Sequence, residues 1–337
     1  MNTIELLKNY DKNKHIEIFS DKNLKHINLK YISSDKWLTD KDIPYVLKTH
    51  LLDSYYCLPE RPDMAFTFLW KCINNSYTEL FIQKNPTSIG QLSDSKSIDT
   101  LIDVVEKNLN VYINEQVTIK IMIEKFIDNI PIKLTRFIAN FILKNYVLEK
   151  KYYDENKKTA GIANKYISSS YTTFKSQFKN VHNIIINTYG EAYAKITQPE
   201  IKKNNIYLNI HDENKEKSKN IIKSLANKLQ ELLIKRSVNL NDSKEENTFT
   251  LELSDDKNYI NFIVRNLLYA IRNNTVHGKI ASRLNSQTKN KDSYSSSVYI
   301  YLLGYMFLTI SLYELGYISN SDLNINLENL ENNIQNI

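Results

Sequence analysis

Apolar residues along this chain recur mainly at the three- and four-residue spacing of an amphipathic α-helix. The clearest case runs from Met64 to Gln83, just after Pro62 and Asp63, residues that favour the first turn of a helix. A second strong pattern spans Lys215 to Arg236. A third helical pattern, nearer the end of the chain, begins at Asp255 or Asp256 and continues to about Asn274. One face of the Met64–Gln83 pattern is formed by Phe66, Leu69, Trp70, Ile73, Tyr77 and Leu80.

The rest of the chain gives shorter patterns of the same kind. Only six Gly and six Pro occur in 337 residues, too few for the many tight turns of an all-β fold. We therefore expect an all-α protein, with a strand at 206–210 left open as the alternative within 198–213. Polar stretches at 85–97 and 237–248 are predicted to be loops, and the Asn-rich tail after Asn320 is predicted to fray. Further helices are predicted at about 40–57, 98–110, 114–128, 132–150, 161–194 with a break near Gly190, and 298–316.

The segment from Val298 to Tyr313 is the most apolar of the chain and carries no charge. It has about 16 residues, fewer than the roughly 20 that cross a bilayer, and its tyrosines, serine and threonine add a polar fringe. A buried central helix is the prediction, and a membrane-docked helix is the alternative.

Charge and cysteine content narrow the possible partners and the cellular compartment of the protein. The net charge of +6 and the sequence pI of about 8.9 are compatible with a polyanionic partner. Two cysteines, Cys57 and Cys72, give no disulfide framework, and no Cys/His cluster has zinc-binding spacing. Residues 1–10 lack the apolar stretch of a signal peptide. We expect a cytoplasmic protein with no metal and no cofactor.

The helix predicted to end near Asn274 carries the candidate chemistry. Asn261, Arg265, Leu268 and Arg272 share one stripe of an α-helix, because offsets of four, seven and eleven return to one face. Arg272 falls in the last turn, where a cation is favoured. Asn273, Asn274 and Gly278 let the chain leave the helix, so His277 is predicted to lie close to Arg272.

The string from Leu267 to Lys279, Leu-Leu-Tyr-Ala-Ile-Arg-Asn-Asn-Thr-Val-His-Gly-Lys, resembles the Arg-Asn-x-x-x-His signature of the HEPN superfamily. In that family the signature lies at a helix end and is followed by a loop and an apolar helix, as is 298–316 here. The segment Phe66–Tyr77 is similar to the early HEPN helix, whose polar residue can lie beside the Arg/His pair. For that role we nominate Asn74 first and Asn75 second.

The resemblance implies a HEPN-type helical bundle with a large helical insertion. Residues 41–84 and 250–318 would form the bundle, and 85–249 the insertion, as a sensor or a substrate-reading region. Residues 1–40 remain an unassigned N-terminal segment, and 319–337 a polar tail. HEPN ribonucleases usually join two motifs at a dimer interface, and this chain shows one motif. A homodimer through the motif face is therefore expected, with an antitoxin or activator protein as a further partner.

The residue types of the motif suit metal-independent RNA cleavage. RNA carries its own nucleophile, the ribose 2′-hydroxyl, beside the scissile phosphate. A histidine can transfer protons near neutral pH, and an arginine can grip and stabilise the phosphorane oxygens. His277 would be the general acid/base and Arg272 the phosphorane-stabilising cation, with Asn273 and Asn74 orienting these groups or the ribose. The products would be a 2′,3′-cyclic phosphate and a 5′-hydroxyl.

Two questions stay open at the level of sequence. Arg265, Lys279 and Arg283 could contact RNA phosphates, or they could be ordinary salt-bridging or solvated residues. The chain could be an endoribonuclease of toxin or abortive-infection defence, or a non-catalytic HEPN module that binds RNA or a partner. Relatives that pair with small nucleotidyltransferases often have a tyrosine two residues after the histidine. Here that position is Lys279, so the resemblance does not extend to that regulation.

Overall fold

The structure is a computed structural model. It describes residues 8, 10–14, 27–32, 34, 43–154, 166–202, 205–241, 248–276 and 291–337. The chain divides into two compact units, which we call the terminal unit (Met1–Pro131 with Ile271–Ile337) and the middle unit (Ile132–Ala270).

The described residues are mostly helical, as the sequence predicts. They add two antiparallel hairpins, one of which falls in the 198–213 stretch where a strand was left open. In chain order the helices and strands are α1 Tyr45–Tyr56, α2 Pro62–Lys84, α3 Asp94–Lys107, α4 Ile119–Asp128, α5 Ile132–Asp154, α6 Ser169–Gln177, α7 Lys179–Ile185, α8 Glu191–Ile196, β1 Thr197–Lys202, β2 Asn205–Ile210, α9 Lys215–Lys235, β3 Ser237–Asn241, β4 Thr248–Glu252, α10 Asp256–Phe262, α11 Ala270–Val276, α12 Lys291–Glu314 and α13 Ile325–Asn333.

Helices α2 and α12 form the centre of the terminal unit, and α1 and α3 pack against α2. The two central helices approach closely at Gly304, where a β-carbon would lie 3.0 Å from the Phe66 ring and 3.3 Å from Leu69. Both of those side chains are buried. The predicted apolar face of α2 is therefore turned into this core.

Helix α12 has 24 residues, so it begins several residues before the predicted start at 298. It is long and apolar enough to cross a membrane by length and composition, but 94% of its most apolar window is buried inside the protein. That burial fits the core helix of a soluble protein.

The Asn-rich tail is packed instead of frayed, contrary to the sequence-based expectation. Helix α13 contacts α12 and α4, and Asn326, Asn329 and Asn333 are all buried. The Asn329 and Asn333 side-chain amides hold the backbone of residues 27–32. The Asn28 N–H donates to Asn333 Oδ1 (2.9 Å), and Asn333 Nδ2 donates to the Asn28 carbonyl (2.8 Å). Lys30 is held in the same way by Asn329, at 2.7 and 3.0 Å.

The middle unit is built on α5 and α9, and it contains both hairpins. Strand β3 and the first residue of β4 fall within the region 237–248 that was predicted to be a loop, so the prediction was wrong for 237–241 and 248. Val238, Leu240 and Leu251 are buried and alternate with polar neighbours, the period-two pattern of a strand. The intervening Ser and Asn residues hid this pattern. The expected break near Gly190 is a π-helical stretch, Ile186–Gly190, between α7 and α8.

The units divide the chain differently from the predicted domains. The boundaries fall after Pro131 and after Ala270, whereas the sequence suggested 84/85 and 249/250. Residues 85–131, predicted as part of an insertion, belong with α2 in the terminal unit because α3 packs on α2 and α12. Residues 256–270, predicted as part of the bundle, belong to the middle unit.

Candidate functional site

The predicted motif helix is an unbroken helical run from Asp256 to Val276, but its middle is not α-helical. Asp255 caps the run through the Asn258 N–H (2.7 Å), as the sequence predicted. Residues Ile263–Tyr269 are π-helical, between α10 and α11. A π segment has more residues per turn than an α-helix, so the predicted four–seven–eleven stripe does not hold across this run.

Arg272 and Asn273 lie in α11 and are bonded to each other, since Arg272 Nη1 donates to Asn273 Oδ1 (2.8 Å). Asn273 is buried, and Arg272 is half-buried. Asn273 thus holds part of the guanidinium in place. His277, Lys279 and Arg283 lie outside the described residues.

A second polar cluster lies where α2 meets α3. Asn74 Nδ2 donates to the Tyr77 hydroxyl (2.5 Å) and to Asp94 Oδ1 (3.1 Å), and the Tyr77 hydroxyl makes a very short bond to the same Asp94 oxygen. Tyr77 is fully buried, while Asn74 and Asp94 are half-buried. Asn74 and Tyr77 are one helical turn apart on α2, which brings them together without help from the rest of the fold.

Arg272 lies within electrostatic range of this cluster. Burial and the neighbouring Asp94 raise the pKa of Tyr77 well above its usual value, and the Asn74 hydrogen bond and the Arg272 charge act in the opposite direction. Arg272 from α11 and Asn74 from α2 therefore belong to one polar neighbourhood, and all of these residues are in the terminal unit.

Asp94 is the member of this cluster that was not expected from the sequence, because residues 85–97 were predicted to form a loop. In the structure α3 begins at Asp94, and Ser93 caps it by accepting from the Lys96 N–H (3.3 Å). The signal was present in the sequence. A Ser followed by an acidic residue, just before apolar residues at helical spacing, marks a helix start. Ile98, Leu101, Ile102 and Val105 supply that spacing.

The other nominated residues are placed differently. Arg265 lies in the π segment of the middle unit and is 4% exposed, so a phosphate could reach its guanidinium only if neighbouring side chains moved. Asn75, the second nominee on α2, has a buried carbonyl oxygen with no hydrogen-bond partner in the described part of the chain. It is not a member of the Asn74–Tyr77–Asp94 cluster as its bonds define it.

Among the residues whose placement is described, no group of three or more His, Cys, Asp or Glu side chains could hold a metal ion. Both cysteines are free, with Cys72 buried and Cys57 half-buried.

No protein-family model, no curated protein and no solved structure matches this chain. The interpretation of the site therefore depends on the motif and on the arrangement of its side chains.

That arrangement combines a fixed cation with hydrogen-bonding groups. The Arg272 guanidinium can bind phosphate oxygens in a bidentate manner. The Asn74 side-chain amide belongs to the cluster on which the Arg272 charge acts, and its hydrogen bonds to Tyr77 and Asp94 keep it in place. Such a set suits a ligand that carries a phosphate and a hydroxyl close together.

Proposed function

We propose that the chain is a metal-independent endoribonuclease of the HEPN type. In this proposal Arg272 stabilises the charge of the phosphorane, His277 transfers the protons, and Asn273 and Asn74 orient the guanidinium and the ribose. The 2′-hydroxyl attacks the adjacent phosphorus, the 5′-oxygen leaves, and the products are a 2′,3′-cyclic phosphate and a 5′-hydroxyl. The protein would act in the cytoplasm as a toxin or an antiphage effector.

One observation carries the proposal. Asn74, nominated from the Phe66–Tyr77 segment, shares a neighbourhood with Arg272, nominated from the distant Leu267–Lys279 string, through the hydroxyl of Tyr77. Both segments resemble one family, and Asn74 was nominated as the polar residue expected beside the Arg/His pair. The action of the Arg272 charge on Tyr77, to which Asn74 is bonded, supports that expectation.

The proposal extends to RNA binding and assembly. Lys279 and Arg283, just beyond the motif, would contact the RNA backbone, and a homodimer would bring two motifs together at one site. An antitoxin or activator protein would control the activity.

The first test is a cleavage assay on total RNA in EDTA, with end analysis of the products. We expect the wild type to leave 2′,3′-cyclic phosphate ends and His277→Ala to lose at least about a hundredfold in rate, because general acid/base catalysis contributes that much or more. His211→Ala is the matched control, since His211 is an exposed histidine of the middle unit.

Three outcomes are informative. Equal cleavage by the wild type and His277→Ala would contradict the assigned chemistry. A folded wild type that binds RNA without cutting it would establish the alternative, a non-catalytic RNA-binding module. A folded wild type that neither binds nor cuts RNA would overturn both functions.

A further inference from the structure

The hydrogen-bond pattern around Asn74 fixes which of its atoms can serve a ligand. An asparagine amide has two N–H donors and one carbonyl acceptor. Asn74 gives one hydrogen to Tyr77 and the other to Asp94, so both donors are used. Among the residues described, none donates to Asn74 Oδ1. The hydrogen-bonding atom of this side chain that can still serve a ligand is therefore its carbonyl oxygen, an acceptor.

Asp94 sets the direction of these bonds. An ionised carboxylate only accepts hydrogen bonds, so the Tyr77 hydroxyl must give its single hydrogen to Asp94 and accept from Asn74. If Asp94 were absent, the Asn74 amide could rotate by half a turn and present N–H groups instead of its carbonyl.

The supporting groups are held firmly. Tyr77 has no exposed surface, and its ring packs against Trp70, with 6.4 Å between ring centroids. Asp94 is the first residue of α3, where the positive end of the helix dipole favours a carboxylate, and the Ser93 cap fixes that turn. The Asn74 amide is thus oriented by two groups that have little freedom to move.

We propose that Asp94 and Tyr77 are positioning residues that hold the Asn74 carbonyl oxygen as the acceptor for the 2′-hydroxyl of a bound ribose. This inference rests on the proposed function and deepens it, because it names the group by which the site distinguishes RNA from DNA. Deoxyribose lacks that hydroxyl and leaves the Asn74 carbonyl without a partner. The phosphate grip of Arg272 is the same for both nucleic acids.

The test measures binding of a single-stranded RNA oligonucleotide and of the DNA oligonucleotide of matching sequence, in EDTA. All proteins carry His277→Ala so that RNA is not cut. The parent should bind RNA about fivefold more tightly than DNA, as expected for one hydrogen bond. Asn74→Leu and Asp94→Ala should lose that preference, and Tyr77→Phe should reduce it. Asp103→Asn, on the exposed side of α3, is the control and should retain the preference.

The ratio of RNA affinity to DNA affinity separates a loss of positioning from general damage to the fold. A loosened fold weakens the binding of both oligonucleotides equally. Should Asp94→Ala fail to fold, Asp94→Asn and Tyr77→Phe keep the side-chain volumes and carry the test. An unchanged affinity ratio in folded Asn74 and Asp94 variants would overturn this inference, and the proposal that the protein cleaves RNA would still stand. A parent that binds RNA and DNA equally would also overturn it. Absence of any nucleic-acid binding would instead overturn the proposed function and this inference together.

Discussion

At the residue scale, two small groups of bonded polar side chains join different helices of this protein. A buried polar group without a partner costs about 1–3 kcal/mol, so such groups are arranged to satisfy one another. In the candidate site the group comprises Asn74, Tyr77 and Asp94 from α2 and α3. Sequence could nominate Asn74 by resemblance. It could not show the bond to Asp94, because that bond depends on how the two helices pack.

The middle unit contains a second group of this kind, around a buried histidine. His182 Nε2 lies 3.0 Å from the Tyr171 hydroxyl, which is 3.3 Å from Glu149 Oε2, and Lys175 pairs with the same glutamate at 2.6 Å. The imidazole is 4% exposed and packs edge-on against Phe174. Burial, more than any neighbour, lowers the pKa of His182 below its ordinary value. The native state therefore holds the ring uncharged at neutral pH.

This burial makes the stability of the protein depend on pH. In the unfolded chain His182 takes up a proton near its ordinary pKa of about 6.5, whereas the folded chain resists protonation until the pH is lower. Between those values the unfolded state binds more protons, so the free energy of unfolding falls as the pH drops below about 6.5. His182→Gln replaces the imidazole with an amide that can still form hydrogen bonds but does not titrate. It should weaken the dependence of the unfolding free energy on pH, as measured by chemical denaturation at several pH values.

His211→Gln is the comparison for that experiment, because His211 is exposed. It should keep the pH dependence of the wild type. If His182→Gln and the wild type lost stability in parallel on going from about pH 7.5 to 5.5, the buried histidine would not be the group responsible.

At the scale of secondary structure, helix α13 holds another part of the chain by its asparagine side chains. Asn329 and Asn333 are one turn apart, and each exchanges two hydrogen bonds with the backbone of Lys30 or Asn28. Two further backbone N–H groups of that segment donate to tyrosine hydroxyls of α12, Ile27 to Tyr294 (3.3 Å) and Ile32 to Tyr305 (2.9 Å). Because these hydrogen bonds are made to main-chain atoms, they depend little on which side chains residues 27–32 carry.

Removing the two asparagine side chains should release this segment. In Asn329→Ala/Asn333→Ala the amide hydrogens of Asn28 and Lys30 lose their acceptors, and we expect their exchange with deuterium to quicken by at least about fivefold, the equivalent of about 1 kcal/mol per hydrogen bond. Hydrogen-exchange mass spectrometry of the N-terminal peptides would measure this. Asn332→Ala, at an exposed position of the same helix, should leave the rate unchanged. Unchanged exchange in the double variant would show that other contacts hold the segment.

Helix α13 also shows why some elements were missed. Leu323, Leu327 and Leu330 have helical spacing, but asparagine has low helix propensity, and the tail was expected to fray. Asn329 and Asn333 bond to a segment about 300 residues earlier in the chain, which local sequence cannot reveal. By contrast, α2 and α9 were predicted almost to the residue, because their own apolar faces specify them. The π-helical stretch before Arg272 has no sequence signal that we recognise.

At the scale of the whole molecule, the proposed function includes a dimer of this chain. The sequence contains one Arg-x4-His motif, whereas the resemblance implies a site made from two. A two-fold symmetric dimer brings the same surface of each chain together, so each motif would meet its copy. A species of twice 39.5 kDa is therefore expected in solution at the concentrations where RNA is cut.

Mixing wild-type and His277→Ala chains at constant total concentration tests whether two motifs share one site. If a dimer needs both histidines, the rate follows the square of the wild-type fraction, and an equal mixture retains about one quarter of the activity. If each chain works alone, the equal mixture retains about one half. His211→Ala chains serve as the mixing control and should leave the rate unchanged. A linear dependence, with activity per chain constant on dilution, would assign the whole reaction to a single Arg272–His277 pair and would remove the physical reason for dimerisation.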